Sequence, residues 1–101
     1  MREKLEQLVT THAELTARLA SPEVLGDPRL YRETSKALAE IDRAVELYRD
    51  LRRVERELAE ATELAGQGAG EPELAALAAD EATRLASRRE ELLAELRREL
   101  A

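Results

Sequence analysis

The sequence has no cysteine, tryptophan or phenylalanine, and only one histidine, one methionine and two tyrosines. The missing cysteines exclude a disulfide scaffold and any thiol-based metal, redox or nucleophilic site. Valine and isoleucine together number five. With β-branched and aromatic residues this scarce, a sheet has little to build on. Four glycines and three prolines leave few places for the chain to turn. No apolar run approaches the roughly 18 residues that mark a membrane span. The N-terminus alternates charge with leucine, unlike a secretory signal. What the 101 residues do have is leucine and alanine, 18 of each, and 38% charged side chains. That mixture favours long amphipathic helices. A chain this short is expected to form a single domain without a thick globular core, with the cytoplasm as default compartment. The formal net charge of −6 argues against free DNA binding or strong whole-domain attraction to RNA, while a local basic stripe is compatible with it.

The spacing predicts three helices. Leu5, Leu8, His12, Leu15 and Leu19 recur at intervals of 3 and 4, a heptad stripe on a helix over residues 2–20. Ser21-Pro22 ends it, since Pro22 lacks a backbone N–H and restricts the residue before it. Val24 and Leu25 offer an apolar tie-down in the connector, and Gly26 is free to take positive φ. Asp27 suits the cap of a second helix and Pro28 its first position. No glycine or proline interrupts residues 29–65, so that helix covers 28–65, roughly 57 Å at about 1.5 Å per residue. Its stripe reads Leu38, Ile41, Val45, Tyr48, then Leu51, Val54, Leu58, Ala61, Ala65. The 3-3-4 spacing around Leu51 breaks a strict heptad, so the buried face rotates along the helix. Gly66-Gln67-Gly68-Ala69-Gly70 is a reversal, and Pro72 opens a third helix over 72–100. Leu74, Leu77, Ala78, Leu85, Leu92, Leu96 and Leu100 are its apolar positions, closer to a 3.6 than a 3.5 period. Short connections make neighbours antiparallel. The expected fold is all-α: an elongated antiparallel three-helix, coiled-coil-like bundle with a long central helix.

Little in the sequence looks catalytic. His12, the only histidine, lies on a leucine stripe, where a packing role with one hydrogen-bonded ring nitrogen is the simpler reading. Glu90 with Glu91, or Glu55 with Glu57, is formally a carboxylate dyad. Arginines stand three or four residues from many acids, however, as in Arg53–Glu57 and Arg56–Glu60, and helical ion pairs explain them better. No helical Glu-x-x-His or calcium-loop pattern is present, so no metal or cofactor is expected. The glycine segment has no Lys-Ser or Lys-Thr after it and is not a phosphate loop. The densest basic patch is Arg49, Arg52, Arg53 and Arg56 on one side of the central helix. Arg84, Arg88 and Arg89 would approach it if the third helix returns antiparallel. Arginine forks suit RNA phosphate or protein carboxylates, and a salt-bridged solvent face is the alternative. No interleaved aromatics support base stacking.

The connector Leu19-Ala20-Ser21-Pro22-Glu23-Val24 and the later Tyr48-Arg49-Asp50-Leu51, with Asp27, Arg29, Tyr31, Ser35-Lys36 and Ala39-Glu40-Ile41 between them, form an ordered set. Together they resemble the N-terminal helical domain of bacterial peptide chain release factors of the type that reads UAA and UAG. In that family an “x-L-x-D/S-P-E-V” connector precedes a long helix with a “Y-R-x-Y/L” element, and an acidic coiled-coil arm follows. The likeness covers essentially the whole chain. The Ser-Pro-Glu-Val connector and the absence of tryptophan fit the relatives that read UGA and UAA less well.

The resemblance implies a fragment of a protein over three times this length. Its stop-codon-reading domain and its Gly-Gly-Gln loop, which promotes peptidyl-tRNA hydrolysis, would lie elsewhere. Gly66-Gln67-Gly68 is not that loop, so no catalytic residue is carried over and the segment is not expected to be an enzyme. Its implied partner is the ribosome, at the factor-binding region near ribosomal protein L11 and its rRNA, with the isolated domain monomeric. Arg49, Arg52, Arg53 and Arg56 are the candidate ribosome or rRNA contacts. The alternative is a stand-alone coiled-coil adaptor or self-association module, suggested by the long leucine–alanine stripe. The two-helix arm of seryl-tRNA synthetase fits less well, because it has no counterpart to the first helix and its Ser21–Pro28 break.

Overall fold

The computed structural model describes residues 1–67 and 70–101, and no strand occurs among them. Four helices follow in order: α1 at Arg2–Leu19, α2 at Pro22–Leu25, α3 at Pro28–Gly66 and α4 at Pro72–Leu100. The fold is all-α, with the three long helices where the sequence placed them and a long one in the middle. The addition is α2, a single turn in the connector. The chain divides into two compact units, Met1–Glu46 and Leu47–Ala101, and the boundary falls inside α3.

In the first unit the turn between α1 and α3 is built from caps. Ser21 Oγ donates to the Arg18 carbonyl at 2.7 Å and accepts from the Val24 N–H at 3.3 Å. One hydroxyl thus closes α1 and opens α2, with Pro22 at a position whose missing N–H costs nothing. Asp27 Oδ1 accepts from the N–H groups of Arg29 and Leu30 at 3.0 and 3.2 Å, the expected cap of α3. Val24 is buried as a tie-down, but Leu25 is exposed. Gly26 does not take positive φ: it sits at φ −82°, ψ −5°. The α2 turn needs a right-handed residue there. What glycine provides is clearance, since a Cβ would lie 3.1 Å from the Pro22 carbonyl oxygen.

Burial along α3 explains the irregular spacing around Leu51. Thr34, Leu38, Ile41, Val45 and Tyr48 form one stripe at intervals of 4 and 3, buried at Thr34, Val45 and Tyr48 and half-buried between. Ala44, Leu47, Leu51, Val54, Leu58, Ala61 and Ala65 form a second stripe at intervals of 3 and 4. Each is a regular heptad. The 3-3-4 step is the passage from one to the other, and the two overlap between Ala44 and Tyr48. The single rotating stripe missed Ala44 and Leu47, which are both buried.

In the second unit α4 has a heptad of its own, which corrects the 3.6-residue reading. Ala75, Ala78, Ala82, Leu85, Arg89, Leu92 and Leu96 form a stripe of buried and half-buried positions at intervals of 3 and 4, and Leu93 is buried beside it. Leu74 and Leu77, expected on the buried face, are 49% and 66% exposed. The leucines there misled the period, because alanines carry the N-terminal half of the seam. Leu51, Leu92 and Leu96 are fully buried, at roughly 1.5–3 kcal/mol for each large side chain removed from water. Gly66 is the last residue of α3, and the rest of the expected glycine reversal falls partly on residues 68 and 69, outside the described residues.

Candidate functional site

The four candidate arginines project from α3 in the second unit at positions i, i+3, i+4 and i+7 and are all exposed. They are not equivalent. The Arg52 guanidinium lies 5.8 Å from the centre of the buried Tyr48 ring. That cation–π contact, at the i+4 spacing a helix gives, fixes Arg52 as a lid on the ring. Arg53 stands between two carboxylates of its own helix, Asp50 at 3.4 Å and Glu57 at 3.6 Å. Arg49 and Arg56 hold no carboxylate among the described residues, so the pair Arg56–Glu60 suggested by spacing does not form. Arg49 and Arg56 lie two turns apart, about 10.5 Å along the helix. The patch therefore offers two open guanidinium forks with two anchored cations between them.

The arginines of α4 do not enlarge this patch. Arg89 reaches α3 as expected, but it meets a carboxylate there: its Nε donates to Glu55 Oε2 at 2.9 Å. Its Nη1 donates to Glu90 at 3.2 Å. Arg88 donates to Glu91 at 3.1 Å. Arg84 binds Glu81 through two guanidinium nitrogens. This bond, with the arginine's charge, holds the Glu81 carboxyl below the usual carboxylate range against the opposing effect of desolvation. The same bond and the negative charge of Glu81, with a lesser contribution from Glu57, raise Arg84.

These pairs also include the acids of the two formal dyads. Glu55 and Glu90 bind Arg89, Glu57 pairs with Arg53, and Glu91 with Arg88. Each of these acids has an arginine beside it, the helical and cross-helix ion pairing that the spacing suggested. In the first unit His12 Nε2 lies 2.6 Å from Asp42 Oδ1. The ring is mostly buried and bonded at one nitrogen, the packing role expected for it. Sequence reasoning missed Asp42 as its partner and Glu55 as the partner of Arg89. Two antiparallel turns hold the signal, because each pair is nearly symmetric about a break, at Asp27 and at Pro72. No group of three His, Asp or Glu side chains that could hold a metal occurs among the described residues. No described helix is long and apolar enough to cross a membrane.

The model of the PCRF domain matches residues 8–101. The chain belongs to the PCRF domain family. Among curated proteins, peptide chain release factor 1 of Thermus thermophilus is 37% identical over 100 residues, 99% of this chain and 27% of its own length. The protein of the same name from Thermobifida fusca is 38% identical over 94 residues, 93% of this chain and 24% of its own. That of Frankia casuarinae is 43% identical over 65 residues, 64% of this chain and 18% of its own. The resemblance to the helical domain of release factor 1 therefore holds over nearly the whole chain. The chain spans about a quarter of the length of these relatives. No solved structure matches it.

Proposed function

We propose that residues 1–101 act as one helical docking and positioning domain of a class I bacterial release factor, serving translation termination at UAA and UAG in the cytoplasm. Codon reading and peptidyl-tRNA hydrolysis are carried by segments other than these. The domain itself does no chemistry; it is monomeric and meets the ribosome at the factor-binding region near ribosomal protein L11 and its rRNA. The observation that carries this reading is the match to release factor 1 over 99% of the chain, against 27% of the relative's length. The contact within the patch is made chiefly by Arg49 and Arg56, which pair with no carboxylate among the described residues. Arg52 is held over Tyr48 and Arg53 between Asp50 and Glu57, so the charge of Arg53 is already engaged within the helix.

Binding of the fluorescently labelled chain to salt-washed bacterial ribosomes tests this. Wild type is expected to bind, and Arg49→Glu with Arg56→Glu to bind at least tenfold more weakly with an unchanged helical spectrum. The affinity is expected to fall with salt as ion contacts are screened. No ribosome binding by the wild-type chain overturns the docking reading. Full binding by the double variant removes the arginines from it.

A further inference from the structure

The distal end of the α3–α4 hairpin carries leucines that the fold does not use. Leu64, Leu74 and Leu77 are the large exposed apolar side chains of the second unit, and they are close together. Leu64 and Leu74 line one depression. Leu74 and Leu77, with Pro72, line an adjoining open one of about 500 Å³. Scattered exposed leucines need no explanation, but a contiguous group on a thin helical hairpin does.

The charge around this group is of one sign. Residues 57–83 hold seven acids and no lysine, arginine or histidine, a run bounded by Arg56 and Arg84. Glu71 and Glu73 border the Leu74–Leu77 depression, and Glu60 and Glu63 border Leu64. None of these four glutamates makes an ion pair among the described residues. An RNA strand would bring phosphates against them without compensation. A second copy would bring the same acids against them. A basic protein surface gains on both counts: its Lys and Arg meet the glutamate rim, and an apolar side chain fills the leucine depression. Apolar centre and charged rim is the usual anatomy of a protein–protein contact.

We propose that Leu64, Leu74 and Leu77, with the glutamates around them, are a docking surface for a basic protein presenting an apolar side chain within a Lys/Arg-rich patch. This rests on the ribosome-docking reading and adds to it a second contact, made to protein and opposite in charge to the arginine patch. The two surfaces then divide the work: arginines toward phosphate, the hairpin end toward ribosomal protein.

The probe is the salt-washed large ribosomal subunit. Leu74→Ser with Leu77→Ser is expected to weaken binding of the chain at least tenfold with its melting temperature unchanged, since both side chains are exposed. Glu71→Lys with Glu73→Lys is expected to do the same and to flatten the salt dependence. A photo-crosslinking residue at position 77 is expected to mark a basic ribosomal protein. Wild-type binding left intact by both double variants, or a crosslink to rRNA, overturns this inference and leaves the docking reading standing. Absence of wild-type binding overturns both. A dimer of the chain that dissolves on Leu74→Ser/Leu77→Ser assigns the surface to a second copy and also overturns the proposal.

Discussion

Nε2 of His12 lies 2.6 Å from Oδ1 of Asp42, tying α1 to α3 across 30 residues of sequence. His12 occupies a heptad position where the neighbouring stripe residues are leucines. A carboxylate oxygen only accepts, so Nε2 carries a proton in this arrangement. Asp42 is largely exposed, which limits the energy of the pair to about 0.5–1 kcal/mol. A double-mutant cycle with His12→Ala and Asp42→Ala in urea unfolding is expected to give a coupling of about that size. Strictly additive effects would show that the contact contributes nothing to stability.

The helices were legible in the sequence because their punctuation is local. Ser21-Pro22, Asp27-Pro28 and Pro72 act on the backbone within one turn, and each stands at a helix boundary. The seams were less legible because alanine is ambiguous: Ala44, Ala61 and Ala78 are buried and Ala59 and Ala76 exposed. Leucine carries the stronger signal, and at Leu74 and Leu77 it pointed the wrong way. The arginine patch was readable as a set of four. Its division into anchored and open members was not, because that depends on which acids come within reach.

The two classes of leucine are expected to respond oppositely to truncation. Leu51 is fully buried in the heptad of α3, and Leu51→Ala is expected to cost about 2–5 kcal/mol for lost transfer energy and the cavity left behind. Leu77→Ala is expected to stay within about 0.5 kcal/mol. Chemical denaturation of both checks the assignment. A large loss at Leu77 would place it in the core, where the 3.6-residue period had put it.

Gly66 tests where α3 ends. It is helical, with no positive φ, and nothing lies within 4 Å of the place a Cβ would occupy. Gly66→Ala is therefore expected to stabilise the chain by about 0.5–1 kcal/mol, through a less flexible unfolded state and better helix propensity. Thermal melting reads this directly. A destabilised variant would restore Gly66 to the reversal suggested by the run of glycines.

The bond from Arg84 to Glu81 gives the chain a defined acid response. The folded-state pKa of Glu81 is lowered, so its ionised form favours the folded state above the ordinary carboxylate range. That contribution is lost as the pH falls through the folded value. Both groups are exposed, and the consequence for global stability is small. The residue-level effect is measurable: in an NMR titration of the Glu81 side-chain carboxyl, Arg84→Gln is expected to move the midpoint upward. An unmoved midpoint would mean that the two side chains do not hold each other in solution.

Arg89 raises a sharper question, because it occupies a seam position that an apolar residue would fill. It is 34% exposed in its side chain and its partner Glu55 23%, so both charges have given up part of their hydration. Breaking such a pair leaves one half-buried charge with less compensation, whereas replacing both members with apolar residues removes the desolvation cost as well. Glu55→Leu alone strands the guanidinium's strongest bond, although Glu90 still holds Nη1. Arg89→Leu alone removes the bond that Glu55 receives from α4. Each single variant is expected to lose about 1–2 kcal/mol, and the double variant Glu55→Leu/Arg89→Leu to recover most of it. What the double variant gives up is specification: a polar pair in an otherwise apolar seam fixes which turn of α4 faces which turn of α3. Its amide hydrogen exchange along α4 is expected to quicken even as its melting temperature recovers. Exchange as slow as in wild type would show that the leucine and alanine layers set the register by themselves.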